Sequence, residues 1–327
     1  MNKKGSGDKM FYTCTMNPAI DLFVSTKEYD PFVVNRATED EVQPNGKGVN
    51  VSFILKMLGI HNQALGFSGG FTGKFIEEEL ENKDIETNFV KVEGNTRINV
   101  FTHVETKETE YKLVNKGPEI NLQQIQELLK KIKSLNSEDT LFVSGSNPRG
   151  VTDEVILEIA KLSKKNNFKL VLDTSSKVVL DSLEYQLYCI KPNDEELASW
   201  FGKEKLSWEE LIYYGKKLIN QGTKMVLISL GEKGCLFFSK KETLFVNAPK
   251  GKVINTACSG DTLLATFIGS LKLGWSTQES LRHAVAAGSS TAFTSGLTDF
   301  KNVEELKKNL VVKKITDRME RNDYVNI

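Results

Sequence analysis

From Lys169 onward, short β-rich runs alternate with helical patterns: KLVLD, LYCIKPNDEELASWF, SWEELIYYGKKLINQG, MVLISLG and DTLLATFIGSLKLG. Strands separated by helices are joined by crossovers rather than hairpins, and crossovers make a mostly parallel sheet with helices on its faces. LFVSG at 141–145 is another such run. It follows the amphipathic stretch INLQQIQELLKKIKSL, where Ile120, Ile125, Leu128, Leu129, Ile132 and Leu135 recur at helical spacing, so the sheet begins before Gly145. Two segments read differently. DLFVSTKEYDPFVVNRATEDEVQ and TRINVFTHVETKETEYKLV alternate patchily, carry charges and lack a helical period. They predict antiparallel strands of a small sheet, a lid at roughly 22–43 and 94–115 beside the carboxyl edge of the main sheet. No repeat or Pro/Gly-rich linker interrupts the chain, so residues 10–327 are expected to form one α/β domain. Residues 1–9 read as a disordered or added tail.

Charge and cysteine usage narrow the function. Lysine plus arginine and aspartate plus glutamate each number 43, so no basic excess is available for a nucleic-acid backbone or an anionic membrane surface. No run approaches the ~18 consecutive apolar residues of a membrane span, and the N-terminal segment lacks the anatomy of a secretory signal. Three of the four cysteines (Cys14, Cys189, Cys235, Cys258) lie in apolar, strand-like runs without CxxC spacing, which fits reduced thiols and a cytoplasmic location. The three histidines have no metal-ligand spacing, so catalysis is expected to rely on carboxylates.

The most informative segment is NTACSGDTLLATFIG, where small residues run straight into a helix. Ala257, Cys258, Ser259 and Gly260 can aim N–H groups and a positive helix end at an anion. Asp261 is either the helix cap or a catalytic carboxylate. In Lys191-Pro-Asn-Asp-Glu-Glu-Leu, Asn193 and Glu196 have capping-box spacing, and equally can hold waters of a magnesium ion. In Asn45-Gly-Lys-Gly-Val-Asn, the glycines allow a close backbone approach to a ligand, while Lys47 and Asn50 supply donors. Asp21 ends a turn after MNPAI, where it accepts from sugar hydroxyls or organises the turn. SLGEKG at 229–234, between MVLI and CLFF, is a hairpin signal.

Taken in order, TMNPAID, NGKGVNVSFILKMLG, TRINV, SGSNP, IKPNDEEL, VLISLGEKG and NTACSGDT resemble the PfkB (ribokinase-like) carbohydrate kinases over residues 11–300. TRINV and NKGPEI look most like 1-phosphofructokinases, with tagatose-6-phosphate kinases next and 6-phosphofructokinase as the other alternative activity. The resemblance implies a ribokinase-like three-layer α/β/α sandwich with a small β lid. It also implies ATP and Mg2+ as cofactors and transfer of phosphate to a phosphorylated ketohexose, fructose 1-phosphate before tagatose 6-phosphate. Residue by residue, Asp261 then stands as base and Ala257, Cys258, Ser259 and Gly260 as anion hole. Asn193 and Glu196 order the magnesium waters, and Lys191, Ser229 and Gly231 take nucleotide positions. Asp21, Gly46, Lys47, Asn50 and Ser146 take sugar positions, and Arg97 reaches the substrate's phosphate. Two departures are visible: Cys258 opens a segment that is Gly-Ala-Gly-Asp in the family, and Asn45 replaces a frequent glycine. The first leaves open a weakened, phosphosugar-binding regulator. An ordinary carboxylate pKa suffices for Asp261, since the hydroxyl turns acidic as its bond to phosphorus forms. A lid edge strand with unpaired backbone groups favours a homodimer.

Overall fold

The computed structural model describes residues 9–316, so the tail assigned to residues 1–9 lies, apart from Lys9, outside the described residues. The first half of the chain runs β1 (Phe11–Thr15), β2 (Ala19–Thr26), β3 (Ala37–Asn45), α1 (Lys47–Met57), β4 (Asn62–Gly69), α2 (Gly70–Glu81), β5 (Glu86–Thr87), β6 (Val90–Val92), β7 (Arg97–Val104), β8 (Thr109–Leu113), α3 (Leu122–Lys133) and β9 (Thr140–Ser144). The second half runs α4 (Asp153–Asn166), β10 (Lys169–Asp173), α5 (Val178–Ser182), β11 (Cys189–Ile190), α6 (Asp194–Trp200), α7 (Trp208–Gln221), β12 (Met225–Ser229), β13 (Cys235–Ser239), β14 (Thr243–Val246), α8 (Ser259–Lys272), α9 (Thr277–Ala292), α10 (Val303–Lys307) and β15 (Val312–Lys314).

The main sheet has the order β15-β14-β13-β12-β11-β10-β9-β1-β4-β5, with β6 also on β4. It is parallel from β12 to β5, and β13, β14 and β15 add an antiparallel margin. The runs FYTCT, TLFVS and KLVLD are rich in apolar residues and buried along almost their whole length because both faces are covered. Successive residues point to opposite faces. Leu141, Val143, Leu170 and Leu172 pack with α3, α4, α6 and α7, whereas Phe142 and Val171 pack with α1, α8 and α9. This is the expected three-layer α/β/α sandwich. The hairpin signal at 229–234 is also realised, with β12 and β13 antiparallel across a short turn.

The second sheet has the order β3-β2-β7-β8, and its segments fall close to the expected 22–43 and 94–115. Its pairing corrects the expectation. β2/β3 and β7/β8 are antiparallel, but β2/β7 is parallel, because the chain passes through α1, β4 and α2 before β7 returns to lie beside β2. β2 starts just beyond the carboxyl end of β1, which sets the small sheet over the edge where β9, β10, β11 and β12 also end. In open α/β sheets ligands bind outside that edge.

Candidate active site

The helix α8 begins with Cys258 in the left-handed conformation, φ 63°. This is the backbone strain foreseen from a cysteine in a glycine-rich segment. The preceding loop is tied down by Ile254 N and Asn255 N, both donating to Ala292 O, and α9 closes behind it. A Cβ at Gly288 would come within 3.0 Å of Ser259 O. The first-turn amides of α8 have no partner one turn back, so the helix offers donors and a positive end. Two of the four expected anion-hole amides are engaged: Ala257 N donates to Asn255 Oδ1 at 3.0 Å and Ser259 N to Thr256 O at 3.4 Å, while Cys258, Gly260 and the first-turn Asp261 keep their N–H groups open. Ser259 Oγ is buried without a partner among the described residues, and Lys191 Nζ lies 3.0 Å from where a Cβ of Gly260 would be. An unpartnered hydroxyl, helix amides and an ammonium group together suit phosphate oxygens.

Beneath this helix end lies a buried charge cluster. Asp173, at the end of β10, accepts from Lys47 Nζ at 3.1 Å and faces Lys191 Nζ at 3.4 Å. Burial opposes ionisation of Asp173, but Lys191 and Lys47 outweigh it and hold the carboxyl below its usual range. Burial likewise disfavours the Lys47 ammonium, yet Asp173, Asp261 and Glu196 hold it above the ordinary lysine value. Sequence reasoning missed Asp173; the only signal was an aspartate closing an apolar strand. Asp261 is also corrected. Burial pushes its carboxyl up to about 7, with Asp173 acting the same way and Lys47, Asn50 and Lys191 pulling against both. Asp261 is not the side-chain cap, since the N-cap position belongs to Cys258 and carries no side-chain cap bond.

Asn193 and Glu196 form the capping box in full: Asn193 Oδ1 accepts from Glu196 N at 2.6 Å and Asn193 N donates to Glu196 Oε2 at 3.0 Å. Ser229 lies beside Asn193 through a backbone bridge, and Gly231 occupies the exposed turn that follows, at φ 58° with open space around it.

On the other side of Asp261, hydrogen bonds run from its carboxylate to the small sheet. Asn50 Nδ2 donates to Asp261 Oδ2 at 2.8 Å and to Asn45 Oδ1 at 3.1 Å, and Asn45 Nδ2 donates to Asp21 Oδ2. Asp21 Oδ1 accepts from Asn99 Nδ2 at 2.8 Å. Burial raises the Asp21 carboxyl above its usual range despite these two amides. Neither Asn45 nor Asn99 was singled out by sequence as a support for Asp21. A Cβ at Gly46 would meet Thr15 Cγ2 at 2.7 Å, so the packing of α1 on β1 also requires a glycine there. Ser146 is exposed and accepts from Asn17 Nδ2 at 3.1 Å. Arg97 is neither solvated nor paired with a glutamate. It is half-buried and donates to the carbonyls of Asn17 (2.9 Å), Asn115 (3.3 Å) and Pro18 (3.4 Å).

The pattern described as "pfkB family carbohydrate kinase" matches residues 15–304. The chain belongs to that family. It is 53% identical over 297 residues, covering 90% of this chain and 97% of the relative, to a D-tagatose-1-phosphate kinase of Bacillus licheniformis. It is 36% identical to a 1-phosphofructokinase of Bacillus subtilis, covering 91% of this chain and 97% of the relative. The structure of phosphofructokinase-2 from Escherichia coli in complex with substrates and products superposes with a TM-score of 0.84 at 26% identity, covering 91% of this chain and 98% of that one. The fold is therefore ribokinase-like and the activity is phosphotransfer to an alcohol acceptor, with ATP as the donor implied by the family. Among the described residues no helix is long and apolar enough to cross a membrane.

Asp173→Asn tests the charge cluster. It leaves the buried Lys191 ammonium and the partly exposed Lys47 ammonium without their shared counter-charge and should cost about 3 kcal/mol, the low end of breaking a buried ion pair, in urea unfolding. The same variant removes the like charge beside Asp261, so the acid limb of the rate profile should move to lower pH. An unchanged stability and an unchanged limb would show the cluster to be inert.

Proposed function

We propose that the protein phosphorylates the free terminal hydroxyl of a ketohexose 1-phosphate, with tagatose 1-phosphate favoured over fructose 1-phosphate. The reaction class rests on one observation above all: a buried carboxylate, Asp261, at the open first turn of a helix beside Lys191. The choice of sugar is supported by the 53% identity to a relative named for tagatose 1-phosphate against 36% to one named for fructose 1-phosphate. Fructose 1-phosphate, the leading expectation from sequence, becomes the second candidate.

Asp261 takes the proton of the acceptor hydroxyl, and Asn50 fixes the oxygen that receives it. Asp21 accepts from sugar hydroxyls, oriented by Asn99 and Asn45. The first-turn amides of α8, Ser259 Oγ and Lys191 face the transferring phosphate, with Ser229 and Gly231 on the nucleotide side. With the lone pairs their capping bonds leave free, Asn193 and Glu196 would hold water molecules of Mg2+, and the ion would supply neutralisation of phosphate charge. Three of the five N–H donors of Arg97 are bonded to backbone carbonyls, and the rest are left for the phosphate the sugar already carries. The small sheet acts as a lid that keeps water from competing as acceptor.

Coupled measurement of ATP consumption over tagatose 1-phosphate, fructose 1-phosphate, tagatose 6-phosphate, fructose 6-phosphate and fructose tests this reading. The 1-phosphates should lead, and Arg97→Ala should cost them about 1.5–3 kcal/mol in kcat/KM, the scale of hydrogen bonds to a charged group. Preference for a 6-phosphate or for free fructose would overturn it.

Asp261→Asn should lower kcat by about 10²–10⁴. In the parent, kcat/KM should fall as pH drops below about 7, where the base becomes protonated. The stability effect has the opposite sense. A carboxyl whose folded pKa lies above its unfolded value favours folding at low pH, and that contribution is lost as pH rises towards about 7. Asp261→Asn should therefore raise Tm more at pH 8 than at pH 5. A flat rate profile with an unshifted Tm would remove Asp261 from the mechanism.

The lid also pairs with a second copy of the chain. Phe32 is fully exposed, Val33, Val34, Tyr111 and Leu113 are largely so, and β3 and β8 are open edges. Sedimentation velocity at micromolar concentration should give a dimer that Phe32→Asp weakens; a monomeric parent would refute the pairing.

A further inference from the structure

Asn50 Nδ2 has more acceptors than hydrogens. It lies 2.8 Å from Asp261 Oδ2, 3.1 Å from Asn45 Oδ1 and 3.1 Å from Cys258 Sγ. An amide nitrogen carries two hydrogens, so Asp261 takes one, and Asn45 and Cys258 share the other. Asn50 is 3% exposed, so water cannot readily serve in their place. Both sharers are themselves anchored. Asn45 receives Gly46 N on Oδ1 and donates to Asp21, while Cys258 is held at φ 63°, a conformation that a residue with a Cβ keeps only where its surroundings fix it. Burial and the carboxylates of Asp261 and Asp21 push the thiol up well beyond the usual range, against hydrogen bonds from Asn45 and Asn50, so the sulfur stays protonated and soft.

We propose that Asn45 and Cys258 are alternative acceptors for the second Asn50 hydrogen and together position the carboxylate of Asp261. They are the two positions at which this chain departs from a glycine of the family's pattern, and they meet at the same amide. The proposal rests on the reading of Asp261 as the base. Losing one acceptor leaves Asn50 pinned by the other. Losing both leaves a buried N–H unpaired and frees the amide to turn away from Asp261.

The test is a double-mutant cycle of Asn45→Ala and Cys258→Ala, assayed with tagatose 1-phosphate and fructose 1-phosphate. Each single variant should cost about threefold in kcat, and the double variant at least about 30-fold, well beyond the product of the singles. KM for ATP should change less than about twofold, because the base rather than the nucleotide is displaced. Cys258→Ser in the Asn45→Ala background, which returns an acceptor, should regain at least about fivefold over the double alanine variant. Multiplicative losses, or a serine that rescues nothing, would overturn the proposal. A second readout needs no turnover: alkylation of Cys258 by iodoacetamide, followed by peptide mass, should speed up at least about fivefold in Asn45→Ala, because Asn50 then gives its second hydrogen wholly to the sulfur and favours the thiolate. If neither sugar phosphate is consumed by the parent, the substrate reading fails, while an unchanged alkylation rate separately overturns the sharing of the Asn50 hydrogen between Asn45 and Cys258.

Discussion

Two ammonium groups brought together from distant parts of the chain, Lys47 at the start of α1 and Lys191 after β11, share one buried carboxylate, Asp173. Two like charges this close would repel strongly in a low-dielectric interior, so the first turn of α1, the end of β10 and the end of β11 can converge only with that carboxylate between them. The convergence in turn sets the site. Lys191 is delivered against Gly260 at the start of α8, and α1 is delivered with Asn50 facing Asp261.

The cluster also explains why Asp261 is poised near neutrality. Two lysines balanced by Asp173 leave one positive charge, which favours an ionised Asp261, while burial and the nearness of Asp173 disfavour it. The result is a carboxyl pushed up to about 7, in the range where a base is both ionised often enough and strong enough to take a proton. The ordinary pKa expected from sequence overlooked this because burial belongs to the fold and no pattern of residue types reports it.

Much of the architecture was legible. The parallel sheet followed from the alternation of apolar strands with helices after Lys169, and α8 followed from small residues running into an apolar helix. The segments carrying Asp21, Lys47, Asn50, Lys191 and Asp261 do meet at one sheet edge. What could not be read were relations across the chain. Nothing adjacent to Asp173 announces two lysine partners, and nothing in TRINV says that Arg97 will bond to the carbonyls of Asn17, Pro18 and Asn115. The capping box at Asn193 and Glu196 shows the opposite case: local spacing foretold the local bonds, and those bonds are present in full.

The parallel pairing of β2 with β7 was the largest departure from expectation, and it is what makes the small sheet part of the site. Along β2, Ala19 lies between Asn45 of β3 and Arg97 of β7, and Asp21 lies beside Asn99. Arg97 and Asn99 are two residues apart on one strand and therefore project from the same face, which is how both reach the neighbourhood of Asp21. A slip of one residue in this register would replace Asn99 by Ile98 or Val100 opposite Asp21 and leave a buried carboxylate without its amide. The polar residues around Asp21 are thus held in place by a strand ladder, and the register of β2 with β3 and β7 fixes which side chains share its inner face.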